Sequence, residues 1–223
     1  MRKVAIFIAA GTGMGADAAK YLSSKGYDIG IMSSSGKGEK LAKSLNGVGY
    51  TGSNLLKKDI DNFINKVIKK FGRVDVLINS AGHGPKGQIL EISDEEWIKG
   101  MEIYFLNVVR ALRLITPIMQ KQKSGSIINI STFAAFEPDS NFPTSGVFRS
   151  GLASFTKLYS NKYAKDKGFK IGVISTKGKT FTSEILSNLD IFPELIFGYE
   201  SGTKVDIISN LSIKYDIKGF VED

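Results

Sequence analysis

The chain has 223 residues, 42% hydrophobic and 23% charged, which suits a packed globular domain and leaves too little continuous apolar sequence for a membrane protein. It has no cysteine, which excludes disulfides and thiolate chemistry and leads us to expect a reducing, cytoplasmic setting. The formal net charge is +8, yet the lysines are scattered along helix faces and loops and do not cluster with aromatics, so no nucleic-acid partner is expected.

The opening run "KVAIFIAA", Lys3 to Ala10, is continuously apolar and closed by glycines, which predicts a strand buried on both faces of a parallel sheet. It is too short to span a membrane and lacks an A-x-A cleavage site, so it reads as a strand and not as a signal peptide. Asp17 to Lys25 predicts the first helix, ended by Gly26. "YDIGIMSS" is a second strand, Glu39 to Leu45 a helix, and "GVGYTGS" a third strand. Asp59 to Phe71 predicts a helix, because Ile60, Phe63, Ile64 and Val67 recur at three and four residues. "RVDVLINSAG" is a fourth strand. Just beyond it stands His83, the single histidine, with no second His or Cys nearby to suggest a metal site.

Ile92 to Gln122 predicts one long helix, with Ser93 as N-cap and Glu96 completing a capping box. "GSIINIST" is a fifth strand. The stretch Asn141 to Ala164 follows as a helix with Leu152, Phe155, Leu158 and Tyr159 on one side. "FKIGVIST" is a sixth strand, and Leu186 to Ile196 and Lys204 to Leu211 predict two last helices before "IKGFVED". There are no repeats, linkers or low-complexity tracts, so residues 1–223 are expected to form one domain. Strands alternating with helices predict an α/β fold with a doubly wound parallel sheet and right-handed crossovers.

"AAGTGMGADAA" joins the first strand to the first helix. A glycine-rich turn there lets backbone approach a pyrophosphate, whose charge faces the free N–H groups of the helix start. Gly11, Thr12, Gly13, Met14 and Gly15 are therefore candidate dinucleotide contacts, since the motif stands in the strand-to-helix context it requires. An acidic residue at the end of the second strand accepts from the NAD ribose. Here Ser33, Ser34 and Ser35 stand there without negative charge, and Lys37 lies beyond, so NADP is the expected coenzyme over NAD.

With these motifs in order, the chain resembles the short-chain dehydrogenase/reductase family over nearly its full length. The family's T-G-x-x-x-G-x-G loop aligns with Ile8 to Gly15, with Ala9 at the first glycine, and its N-N-A-G motif matches Asn79, Ser80, Ala81 and Gly82. "GRVDVLIN", "SDEEW", "TPIM" and "GSIINIST" are also similar. The resemblance implies a single Rossmann-type domain whose sheet has six or seven strands and which binds NAD(P). It implies hydride transfer between a nicotinamide and a carbonyl or alcohol. Asn54, past the third strand, joins Asn79 to Gly82 among the residues implied to hold the coenzyme.

In the family a Tyr passes the proton, a Lys lowers its pKa and holds the nicotinamide ribose, a Ser polarises the substrate oxygen, and an Asn keeps a water relay. Carried over residue by residue, the Ser position is Thr132, the Tyr position is Ser145, and the Lys position is Arg149, which also counts as a ribose contact. An ungapped count puts the Asn at Tyr104, whereas the "LNV" string points to Asn107; the two are three apart, expected on one helix face. Ser145 has an aliphatic hydroxyl far less acidic than a phenol, and Arg149 keeps the charge but does not release its proton. The usual relay is therefore expected to be broken.

Three readings stay open. One is an NAD(P)-dependent oxidoreductase with a rewired donor, such as Tyr104 or water. A second is a catalytically degenerate NAD(P)-binding protein with a regulatory or partner role. The third is a lyase-, dehydratase- or epimerase-like activity. The tail departs too: Thr176-Lys177 stand where the family has Pro-Gly, and a short substrate loop is expected at about 180–202. The resemblance also implies a homo-dimer or homo-tetramer built on helices Asp94 to Lys121 and Ser145 to Lys165.

Overall fold

The computed structural model describes residues 2–164 together with strands Phe169–Ile174 and Ile196–Phe197. A seven-stranded parallel sheet has the order β3-β2-β1-β4-β5-β6-β7. Its strands are β1 (Val4–Ile8), β2 (Asp28–Ser33), β3 (Val48–Thr51), β4 (Val76–Asn79), β5 (Gly125–Ile130), β6 (Phe169–Ile174) and β7 (Ile196–Phe197). The helices between them are α1 (Gly13–Ser24), α2 (Lys37–Ser44), α3 (Lys57–Phe71), α4 (Asp94–Met101), α5 (Asn107–Gln122) and α6 (Pro143–Tyr159). The doubly wound sheet expected from the sequence is present, and no helix among the described residues is long and apolar enough to cross a membrane.

Alternation along β1 shows why the central run is apolar throughout. Val4, Ile6 and Ile8 pack with Phe63, Ile64, Leu112 and Met119 on one face of the sheet. Ala5 and Phe7 pack with Ala18, Leu22 and Ile31 on the other. A strand covered on both sides has no position left for a polar residue. The strand order reverses between β1 and β4, each paired with the other, so a crevice opens beyond Ile8 and Asn79. At that rim the register pair Asn79 and Asn129 is joined by a 2.9 Å hydrogen bond, and Asn129 donates onward to Thr156 of α6 at 3.1 Å.

Four local expectations are corrected. First, α1 begins at Gly13 instead of Asp17, so Gly13 to Gly15 form its first turn. Thr12 caps it with extended backbone and no side-chain bond, which leaves the first N–H groups for another acceptor.

Second, the long helix is interrupted. The Ser93–Glu96 capping box is formed. Beyond Met101, however, Glu102–Leu106 winds as a π-turn before α5 resumes. A π-turn advances fewer degrees per residue than an α-turn, so residues three apart no longer share a face.

Third, Leu158 is 66% exposed, whereas Leu152 and Tyr159 are buried. A second π-turn at Ser160–Ala164 extends α6. Fourth, Ile196 opens β7 instead of ending a helix. The remaining expectations for the Leu186 to Ile196 and Lys204 to Leu211 helices, Thr176-Lys177 and most of the 180–202 loop lie outside the described residues.

Candidate functional site

The turn from β1 into α1 is shaped by close approaches. Ala9 adopts a left-handed φ of 57°, and Gly13 a φ of 62° with no atom within 4 Å of where a Cβ would stand. Gly13 therefore faces open space at the helix start, as a bound anion requires. A Cβ on Gly11 would lie 2.8 Å from Ser33 Oγ, and one on Gly15 2.6 Å from Ala10 Cβ. The loop thus packs directly on the end of β2 and on its own N-terminal arm. Thr12 is exposed and Met14 half-buried, and Met14 also reaches the cavity below.

At the end of β2, Ser33 is buried and its Oγ accepts from the Gly38 N–H at 2.9 Å. That hydroxyl is engaged in starting α2, while Ser34 and Ser35 remain exposed at the rim. Three buried polar atoms along this edge have no protein partner: Asn54 Nδ2, Asn79 Oδ1 and Arg149 Nε. Orphaned buried polar groups are costly and rare, and a polar ligand in the crevice would satisfy them. An open glycine-lined helix start and orphaned amide atoms together fit a nicotinamide dinucleotide.

Beyond β4 lies a cavity of about 230 Å³. Ser80, Ala81 and Gly82 form one wall, following β4. Thr132, which follows β5, and Ser145 and Arg149 of α6 form another. Tyr104, from the π-turn, closes the side. Sequence positions far apart are thus brought to one place. Thr132 begins a short 3₁₀ turn, Phe133–Ala135, with extended backbone and makes no capping bond.

Arg149 dominates the electrostatics. It is 9% exposed, donates to the Ile130 carbonyl at 2.6 Å, and stacks its guanidinium on the Tyr104 ring at 4.6 Å. Burial pulls its pKa from the usual arginine range down to about 10, an effect partly opposed by Tyr104. It remains a cation at neutral pH. The Tyr104 hydroxyl accepts from the Gly84 N–H at 2.5 Å, so the phenol is held against the loop that follows β4 with its own proton free to be donated.

Tyr104 and Asn107 do not share the cavity. Asn107 is 1% exposed, donates to the Ser80 carbonyl at 3.2 Å and accepts from the Val108 N–H at 2.7 Å. It fastens the helix to the loop after β4 and does not line the pocket. The wide turn between the two residues explains the difference.

Further lining residues that the sequence reading did not assign to the site include His83, Lys86, Phe142 and Thr144. The available signal was position, since residues just past the carboxyl end of a switch-point strand face the crevice.

A second apolar groove of about 570 Å³ runs between α5 and α6, lined among others by Leu112, Pro117, Phe155, Leu158 and Tyr163.

Comparison with known proteins adds four findings. The sequence profile described as short chain dehydrogenase matches residues 3–190. An uncharacterised oxidoreductase of Staphylococcus epidermidis is 29% identical over 179 residues, which cover 78% of this chain and 76% of the relative. Among solved structures, a protein of Bacillus thuringiensis provisionally named a 3-oxoacyl-reductase matches with a TM-score of 0.76 at 22% identity, covering 98% of this chain and 93% of the other. A short-chain dehydrogenase from Streptomyces avermitilis matches with a TM-score of 0.73 at 22% identity, covering 79% of this chain, which spans 65% of that protein's length.

Proposed function

The chain belongs to the short-chain dehydrogenase family, and on that footing we propose that it is an NAD(P)-dependent oxidoreductase interconverting a carbonyl and an alcohol, with Tyr104 as its proton donor. NADP is the preferred coenzyme, because no carboxylate stands at Ser33 to Ser35 to repel a 2′-phosphate. Gly11 to Gly15, with Ser34 and Ser35, would hold the phosphates and adenosine ribose. Asn54, Asn79 and the Ser80 to Gly82 wall would line the rest of the coenzyme, and Arg149 its nicotinamide ribose. A bound nicotinamide supplies or accepts the hydride.

The chain's own residues manage the substrate oxygen. Thr132 donates its hydroxyl to that oxygen and orients it. In the reductive direction Tyr104 gives the oxygen its proton, and solvent returns one to the phenolate. A phenol is an adequate acid for this where the Ser145 hydroxyl is not. Arg149 stabilises the phenolate because its charge lies over the same ring in a site partly screened from water. Ser145 is left to contact substrate, and Asn107 to hold the helix in register.

The observation that carries this reading is the buried Arg149 stacked on Tyr104 at the wall of the cavity shared with Thr132. The test is NADPH consumption against a panel of ketones and aldehydes, beside coenzyme titration by nicotinamide fluorescence. Binding of NADPH without turnover of any carbonyl would instead support a degenerate, regulatory protein. The groove between α5 and α6 is read as the seat of a second copy of the chain, in a cytoplasmic homo-oligomer.

A further inference from the structure

We infer that the substrate of this cavity is a carbonyl compound that also carries a carboxylate, held by Lys86 and His83 at the mouth and drawn in by Arg149. The inference rests on the oxidoreductase reading for the word substrate, but the charge pattern stands without it.

The described lining residues include three basic side chains, His83, Lys86 and Arg149, and not one carboxylate. Like charges gathered in a concave site raise a positive potential inside it, because the walls exclude the solvent that would screen them. Arg149 sharpens the point. Its guanidinium is buried, its Nε has no partner, and its only described companions are the Ile130 carbonyl and the Tyr104 ring. A buried cation without a counter-charge is expensive, and an anionic ligand relieves the cost.

Lys86 is not an ordinary surface lysine. Its Nζ rests 4.5 Å from the centre of the ring of Phe142, another lining residue, and no described carboxylate pairs with it. The backbone beneath it is pinned, because the buried Thr144 hydroxyl donates to the Pro85 carbonyl at 2.7 Å. The ammonium is therefore pre-placed over a lining ring, and less side-chain entropy is lost when an anion binds. His83, three residues upstream on the same loop, adds a ring N–H donor to the lining. A carboxylate at the mouth leaves the carbonyl to point inward, toward Thr132 and Tyr104.

The test compares acetoacetate with its methyl ester, a pair that differs in charge while keeping the same ketone. Calorimetric titration into the full-length chain, with and without saturating NADP, gives the two affinities. The carboxylate is expected to bind about tenfold more tightly than the ester, and Lys86→Met to reduce that ratio to about twofold while Lys86→Arg preserves it. Equal or tighter binding of the ester, no binding of either compound, or an undiminished ratio in Lys86→Met would each overturn the inference. NADPH oxidation read in parallel separates the two proposals. Reduction of the ester without preference for the acid leaves the oxidoreductase standing and removes the carboxylate. Selective acetoacetate binding with no NADPH oxidation does the opposite.

Discussion

The guanidinium of Arg149 lies over the Tyr104 ring, 4.6 Å from its centre, although the two residues come from different helical segments that line one cavity. A cation parked on a phenol's face fixes the ring in place. On the mechanism proposed above, the phenol comes from the π-turn wall of the cavity and not from α6.

Tyr104→Phe should therefore lower carbonyl turnover by roughly 10²- to 10³-fold, the usual worth of a positioned proton donor. NADPH affinity should change by less than about twofold, as read by nicotinamide fluorescence. Ser145→Ala should retain turnover within a few-fold. The opposite ranking in steady-state kinetics would return the proton to Ser145.

Replacing Arg149 by Met should abolish most turnover yet make the protein more stable, by about 1–3 kcal/mol in urea unfolding, because an uncompensated buried charge is exchanged for an apolar side chain. The gain should also depend on pH. Folded Arg149 releases its proton near pH 10 and the unfolded chain only at the ordinary arginine value, so between these limits the unfolded state holds more protons. Raising pH through that window favours folding of the wild type relative to the variant. The difference between the two should thus shrink as pH rises past about 10. Subtraction of the variant's own profile removes the titration of other groups, His83 and Lys86 of the same cavity included.

Gly11→Ala should destabilise by about 1–3 kcal/mol, since the added methyl would press on Ser33 Oγ and Cβ at 2.8 and 2.9 Å. Adding Ser33→Gly should recover part of that loss even though it deletes the acceptor used by Gly38. A positive coupling energy in the double-mutant cycle is the diagnostic, and strictly additive effects would show that the contact is relieved by other means.

On the self-association proposed above, Leu158→Asp should leave only monomer in light scattering behind a sizing column. Leu158 is 66% exposed and borders the groove between α5 and α6, where Phe155 and Tyr163 are also available to a partner. An exposed leucine beside aromatics is a common mark of an interface. An unchanged mass would place any self-association elsewhere.

Much of this was legible in the sequence because period and position carry it. The doubly apolar run of β1, the three-and-four spacing of α3 and the Ser93–Glu96 box each fix a local geometry without outside help. Thr132, Ser145 and Arg149, singled out in the sequence through the family resemblance, line one cavity. What could not be counted was the π-turn at Glu102–Leu106, since a change of winding leaves composition and hydrophobic pattern intact while it turns Tyr104 toward the cavity and Asn107 toward Ser80. Lys86 and His83 were missed for another reason. Their importance comes from what faces them, Phe142 and the absence of acids, and neither is a neighbour in the chain.

The contact between Gly11 and Ser33 makes two recognition elements one mechanical part. The loop that would grip the coenzyme's phosphates leans on the strand end that would sense its ribose, with no spare volume between them. An engineer who inserts a larger or charged group at that strand end to switch coenzymes will disturb the grip as well. Exchange of preference in this scaffold should demand paired redesign of both segments, and single-site libraries should yield crippled binders before they yield altered ones.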